Sequence, residues 1–355
     1  MSVDGILIRA EGRVGHITLD RPKALNALTY DMATAIEMAL RKWVTESSIS
    51  MVLIDAIGER AFCAGGDIQD LYRTGRAGDF GFGRRFWADE YRLNALIANY
   101  PKPYVALMDG IVMGGGVGIS AHGSHRVVTE RTQLAMPECA IGLIPDVGGS
   151  WRLAHAPGHI GDYVGLAGAR LGPADAIYAG LADGFVPVSV LGKLKAALIE
   201  SGDPDVLAEF WDEPEEGKLP RLRCAIDTAF GQADLVGTLV ELEAQESEWA
   251  VTTVRALRKA CPISLSCAFE IIRSARQATR VEDALAMEYR FVSRCMEHGD
   301  FLEGVRAAII DKDRAPRWRH GRIEDVTAEE VTSMLAPAEG GDLNFQDIKM
   351  TGGKS

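Results

Sequence analysis

The sequence predicts a layered α/β core followed by a helical C-terminal region, and three observations carry that prediction. Short apolar runs rich in strand formers alternate with helix-like segments through the early part of the chain, as strand pairs joined by helices would. Two glycine clusters, Ala61-Phe-Cys-Ala-Gly-Gly-Asp67 and Met113-Gly-Gly-Gly116, each stand just before a helix-like segment. Beyond about Val188 the strand signals fade and helical spacing takes over.

Taken in order, Ile6–Arg9 and Val14–Leu19 flank a glycine-bearing turn at Glu11-Gly-Arg13 and read as a hairpin that Pro22 ends. Met32, Ala35, Ile36, Ala39, Leu40 and Trp43 recur at helical spacing and predict one buried face of an amphipathic helix. Met51–Ile57 reads as a strand. The strand-then-helix order returns at Tyr104–Asp109 with Gly114–Ala121, and short strands follow at Arg126–Thr129 and Gln133–Met136. Leu191–Ile199, Leu235–Trp249 and Val281–Met296 read as helices. With three prolines and seven acidic residues, Asp203–Pro220 is a connecting segment, and the glycine-rich tail after Pro337 is expected to fray. The resulting division is an α/β core over 1–200, a mainly helical region over 201–337 and a flexible tail over 338–355.

Composition narrows the functional classes. A chain of 355 residues with 47% apolar content can bury a substantial core. Its 38 basic and 50 acidic residues give a net charge of −12, which argues against nucleic acid as a partner, because phosphate backbones call for a basic face. No apolar stretch reaches the ~18 residues of a membrane span. The six cysteines form no C-x-x-C pair and no compact cluster with histidine, so neither a metal site nor a disulfide framework is expected, and a reducing compartment fits. The N-terminal Met1-Ser-Val-Asp-Gly-Ile6 lacks a charged leader and an apolar stretch, and the expected location is the cytoplasm.

The glycine clusters point to chemistry. Free backbone N–H groups before a helix can be aimed at a developing negative oxygen, and two such donors make an oxyanion hole suited to acyl or enolate reactions. Nearby acids could share attack and proton transfer: Glu138 follows Pro137, and Asp146 lies within Leu143-Ile-Pro-Asp-Val-Gly-Gly149. Each also has a plain reading. Glycines permit tight turns, Asp146 could cap a helix starting near Val147, and Cys63 and Cys139 are small buried thiols. Two other motifs fail on context. Gly116-Val-Gly-Ile-Ser-Ala121 fits a dinucleotide fingerprint, but Gly123-Ser124 cuts its helix short. Gly118-Ile-Ser-Ala-His122 misses the nucleophile elbow at its fifth position, which makes Ser120 a poor nucleophile.

Arg21-Pro-Lys-Ala-Leu-Asn-Ala-Leu28, Ala61–Asp67, Gly110-Ile-Val-Met-Gly-Gly-Gly116 and Met136–Gly149 together resemble the crotonase (enoyl-CoA hydratase/isomerase) superfamily. The likeness is strong over roughly residues 5 to 190, and Asp300–Ala308 with Asp311–Trp318 extend it. It implies a crotonase-like spiral of ββα units and an acyl-coenzyme A substrate. It also implies oxyanion donors at the amides of Gly66 and Gly115, the latter opening a helix whose dipole adds to the field. Lys23, Ala24 and Leu25 match the family segment along the coenzyme A adenine and phosphates, and Ala64 and Asp67 fall in the substrate-binding stretch. No separate cofactor is implied, since coenzyme A enters with the substrate.

A hydratase of this superfamily carries its first glutamate where this chain has Gly118, and glycine cannot transfer a proton. Glu138 keeps the second position. Asp146, the Met113–Gly123 run, Met287-Glu-Tyr-Arg290 and the Asp-Lys-Asp stretch are similar to the 3-hydroxyisobutyryl-CoA hydrolase branch, thioesterases of valine breakdown. By that resemblance Glu90, in Trp87-Ala-Asp-Glu-Tyr91, contacts substrate near the 3-hydroxyl, against the plain reading of a solvated helix-face acid. The alternatives carried forward are a hydratase or isomerase of the same superfamily and a non-catalytic acyl-CoA-binding protein. The family self-associates through its C-terminal helices, so a homo-oligomer is among the expectations, although the extra helical region could cover that surface.

Overall fold

The computed structural model describes residues 3–339 and 341–346. The predicted hairpin forms from β1 (Ile6–Glu11) and β2 (Val14–Leu19), paired antiparallel from Ile6 opposite Leu19 to Glu11 opposite Val14. Helix α1 (Tyr30–Thr45) starts where the Thr29 side chain accepts from the Met32 amide, and all six periodic apolar positions expected on its inner face are buried. Then follow β3 (Met51–Ala56), β4 (Ala61–Cys63), α2 (Ile68–Arg76), α3 (Phe80–Ala98), β5 (Tyr104–Met108), β6 (Ile111–Met113), α4 (Gly115–Gly118), β7 (His125–Val128) and β8 (Gln133–Ala135). Short helices α5 (Gly149–Ala154), α6 (Ile160–Ala167) and α7 (Pro173–Tyr178) lead to β9 (Gly184–Phe185) and α8 (Val188–Ser201).

From β3 on, successive strands go to alternate sheets, and this makes the spiral. One sheet runs β1-β2-β3-β5-β7-β9 and the other β4-β6-β8, with every pairing after the hairpin parallel. Each strand pair therefore contributes one strand to each layer. The first five residues of β3 and all of β5 are buried, as parallel strands covered on both faces must be.

The C-terminal part is helical: α9 (Leu219–Phe230), α10 (Leu235–Ala244), α11 (Glu248–Lys259), α12 (Pro262–Ala275), α13 (Val281–Cys295), α14 (Phe301–Val305) and α15 (Ala328–Met334). Three expectations need correction. The single helix over Leu235–Trp249 is two, because the Ser247 side chain accepts from the Ala250 amide and starts α11 afresh. The helical run over Gly114–Ala121 shrinks to the four residues of α4, followed by turns. The flexible tail is packed where it is described, since Asp342 pairs with Arg290 at 2.5 Å and Ala338 and Leu343 are buried. Residue 340 and residues 347–355 lie outside the described residues.

One hydrophobic cluster runs from Ile6 to Leu343 and joins the sheets to the C-terminal helices. The C-terminal part also presses on the turn after β8. The Cys261 amide donates to the Cys139 carbonyl at 2.9 Å, and a Cβ on Gly304 would stand 2.2 Å from the Ile141 carbonyl oxygen.

Candidate active site

Where β4 and β6 end side by side, the backbone turns away from the sheet and leaves two amides unused. After β4, the Leu28 amide donates to the Gly65 carbonyl and the Asp67 amide donates to the Leu28 carbonyl, at 2.9 and 2.8 Å. This brackets Gly66, whose own N–H has no acceptor among the described backbone bonds. After β6, Gly114 takes φ 48 and ψ −120, a conformation open to glycine alone, and Gly115 begins α4 with its N–H likewise free. A Cβ placed on Gly115 would lie 3.2 Å from the Gly66 nitrogen, so the two amides are neighbours. Because α4 is a single turn, what the site uses is the local N–H rather than the helix dipole the sequence led us to expect.

Three buried acids gather at this point. Glu138 opens a short 3-10 turn (Glu138–Ile141) that Gly142, at φ 76, closes. Its Oε1 stands 2.9 Å from where a Cβ on Gly114 would be, and its Oε2 is buried without a partner among the described residues. Glu90, on α3, puts Oε1 2.9 Å from the Cβ position of Gly115, also unpartnered. Asp146 is 4% exposed and accepts a hydrogen bond from the Tyr91 hydroxyl at 2.8 Å. It does not cap α5, whose preceding residue is Gly148 with no side-chain cap, so the structural reading of Asp146 fails. Glu90 at 4% exposure is no solvated acid either.

Burial raises the proton affinity of all three acids, and the Asp146 charge adds to it at the two glutamates. Burial first, and then the Asp146 charge, hold the Glu138 carboxyl well above the usual carboxylate range. The same two causes push Glu90 to about 8. Burial lifts Asp146 to about 7, against the hydrogen bond from Tyr91, which lowers it.

The turn that carries Asp146 is strained and firmly held. Val147 sits at φ 54, an outlying conformation for a β-branched residue. His122, kept neutral by burial at about 3, donates from Nε2 to the Val147 carbonyl at 2.8 Å. From α13, Glu288 accepts from the Gly148 amide at 2.8 Å, the Ser150 amide at 3.1 Å and the Ser150 hydroxyl.

The expected substrate-binding residues form one rim beside the amides. The Ala64 amide donates to the Leu25 carbonyl at 3.0 Å, which ties the exposed Lys23-Ala24 turn to the β4 exit. Asp67 caps α2 and pairs with Arg21 at 3.0 Å, so its carboxylate is engaged structurally. Burial pushes the Cys63 thiol up to about 12 and holds Cys139 well above the usual thiol range, in keeping with inert core thiols. Ser120 is fully buried and donates to the Gly116 carbonyl. At Gly118 a Cβ would stand 2.7 Å from Asn94 Nδ2 and 2.7 Å from Val147 Cβ, so the space beside that glycine belongs to α3 and the strained turn.

Sequence reasoning missed Tyr91, Asn94 and Glu288. Tyr91 and Asn94 follow Glu90 at one and four residues, a spacing that would have placed Glu90 and Asn94 on one face had α3 been assigned from sequence. Glu288 stood inside a quoted motif, but nothing local tells that it reaches residue 148.

The model of the enoyl-CoA hydratase/isomerase family matches residues 14–335. The chain is 38% identical to the mitochondrial 3-hydroxyisobutyryl-CoA hydrolase of Gallus gallus, over 97% of this chain and 92% of that protein. It is 38% identical to 3-hydroxyisobutyryl-CoA hydrolase 1 of Arabidopsis thaliana, over 97% and 94%. Among solved structures, an enoyl-CoA hydratase from Rhodobacter sphaeroides superposes with a TM-score of 0.93 at 50% identity, covering 96% of this chain and 100% of that one. A carnitinyl-CoA dehydratase from Mycobacterium thermoresistibile gives 0.93 at 41%, covering 97% and 99%.

Proposed function

Because the chain belongs to the enoyl-CoA hydratase/isomerase family, we propose that it hydrolyses the thioester of a short branched 3-hydroxyacyl-CoA, 3-hydroxyisobutyryl-CoA in valine catabolism above all. The curated relatives at 38% identity bear that hydrolase name, whereas the two solved relatives are titled hydratase and dehydratase. One observation favours hydrolysis: beside the amide pair, Gly118 offers no acid and its space is taken by Asn94 and Val147, while Glu138 and Asp146 are both buried there. A hydratase needs an acid on α4.

In this reading the Gly66 and Gly115 amides hold the thioester carbonyl and take the charge that develops on its oxygen. Glu138 and Asp146 share a proton. The ionised member attacks the carbonyl carbon, through Glu138 itself as a mixed anhydride or through a water it deprotonates. The C–S bond then breaks, and the protonated member hands its proton to the departing thiolate; on the anhydride route a water, deprotonated by the partner carboxylate, then cleaves the anhydride, releasing the acid and restoring Glu138. No cofactor is required, since coenzyme A arrives and leaves with the substrate. The cytoplasm and a homo-oligomer are part of the same proposal. Six free thiols, Cys224 alone among them exposed, suit a reducing compartment, although the vertebrate relatives are named mitochondrial.

The test is thiol release from 3-hydroxyisobutyryl-CoA beside 3-hydroxypropionyl-CoA and crotonyl-CoA. Release of free coenzyme A supports the hydrolase. Loss of the enoyl absorbance of crotonyl-CoA without thiol release would make the protein a hydratase, and binding without either change would make it a non-catalytic acyl-CoA carrier. A single turnover in 18O-water tests for the anhydride route: water attack on the Glu138 carbonyl of the anhydride leaves the label in Glu138 and releases acid with no labelled oxygen, whereas direct attack of water on the thioester puts one labelled oxygen into the acid and none into the protein.

A further inference from the structure

The cleft contains a polar group that neither the amide pair nor the acid pair accounts for. Asn94 lies four residues after Glu90 on α3, so both side chains stand on one face of that helix. It is fully buried, yet neither Oδ1 nor Nδ2 has a partner among the described residues. Glu90 Oε1, one turn away, is in the same condition. A buried polar group left unpaired forfeits its hydration with no bond in return, so two on adjacent turns mark a place where a ligand supplies the missing bonds. Their placement follows α4: Glu90 faces Gly115, and Asn94 faces Gly118 one turn further on. A thioester carbonyl held at the Gly66 and Gly115 amides leaves its acyl substituents within reach of this seam between α3 and α4.

Glu90 is already expected near the acyl hydroxyl from the family resemblance, and we infer that Asn94 completes the recognition: Asn94 Nδ2 donates to the hydroxyl oxygen while the hydroxyl proton is donated to Glu90 Oε1. Asn94 is then the residue that selects a hydroxylated acyl group over its plain counterpart. This rests on the acyl-CoA reading above and adds the feature of the substrate that the seam recognises. A hydroxyl is both donor and acceptor, and the pair offers one of each, whereas an acyl group without it leaves both buried groups unpaired.

The test uses the full-length protein and two non-hydrolysable ketone analogues, 3-hydroxyisobutyryl and isobutyryl, in which a methylene replaces the thioester sulfur of coenzyme A. By calorimetry the wild type should bind the hydroxylated analogue at least about tenfold more tightly than the plain one. Asn94→Leu, nearly the same shape, should lose most of that preference while binding the plain analogue within about threefold of wild type. Asn94→Ala, measured in parallel with melting curves on both variants, decides the matter where the leucine does not fold. No hydroxyl preference in the wild type, or an intact preference in the folded variant, overturns the inference. Thiol release is measured separately on the same wild-type protein. Its absence would sink the hydrolase reading, while the binding preference still judges Asn94.

Discussion

The two walls of the cleft are built on different principles. The amide wall is backbone: two strand exits, β4 and β6, lie side by side in a parallel pair, and each is followed by a glycine whose N–H has no acceptor among the described backbone bonds. The acid wall is side chain. It draws Glu90 and Tyr91 from α3, Glu138 from a 3-10 turn, Asp146 from a strained turn and Glu288 from α13, and burial rather than pairing sets their protonation. The amide wall is complete once β4 and β6 pair and Leu28 closes on the first glycine turn, whereas the acid wall also needs α3, the strained turn and α13 to dock. Altering the first should disturb reaction rate alone, and altering the second should disturb rate, pH dependence and stability together.

The sharpest break in that comparison is Glu138→Gln. It removes the acid facing the carbonyl while keeping its shape, and thiol release should fall roughly a thousandfold with the melting temperature held or raised. Turnover near wild type would take Glu138 out of the reaction. On the amide wall, Gly115→Ala puts a Cβ 2.9 Å from Glu90 Oε1 and 3.2 Å from the Gly66 nitrogen, and should cost about a hundredfold in kcat/KM. Its pH profile should keep the wild-type shape, and a displaced profile would show the walls to be coupled.

Tyr91→Phe touches the acid wall alone. Tyr91 lowers the Asp146 pKa by donating to it, so its loss should move the acidic limb of the kcat/KM profile to higher pH and slow turnover about tenfold near pH 6. The smallest effect is on stability. Burial and then the Asp146 charge raise Glu90 to about 8 in the folded protein, so the native state binds more protons than the unfolded chain between pH ~4.5 and 8. The stability due to this group is present at low pH and lost as pH rises through about 8. Glu90→Gln should therefore flatten the fall of melting temperature over that range, and an unchanged slope would place the proton elsewhere.

How much was legible in the sequence follows the same divide. The hairpin, α1, several core strands, the two glycine clusters and the acids Glu138 and Asp146 beside them were read from local pattern, because a turn conformation and an apolar period are written in adjacent residues. Gly66 and Gly115 as the donors, and Glu90, were reached through the family resemblance, and the burial of the acids is not written in adjacent residues. What escaped was held together by contacts between distant segments. Asn94 looks like any helical asparagine until Gly118 is seen beside it, and the three bonds of Glu288 to residues 148 and 150 span some 140 positions of chain. The division of Leu235–Trp249 into two helices turned on Ser247 accepting from a main-chain amide, a signal outweighed by the apolar run on either side.

Gly304 against Ile141, together with Cys261 on Cys139, has a consequence for how the protein is made. The contacts that clasp the Glu138 turn come from residues the ribosome adds more than a hundred codons after it. A nascent chain thus carries a half-assembled catalyst until those segments emerge and dock, and hydrolytic competence waits on them.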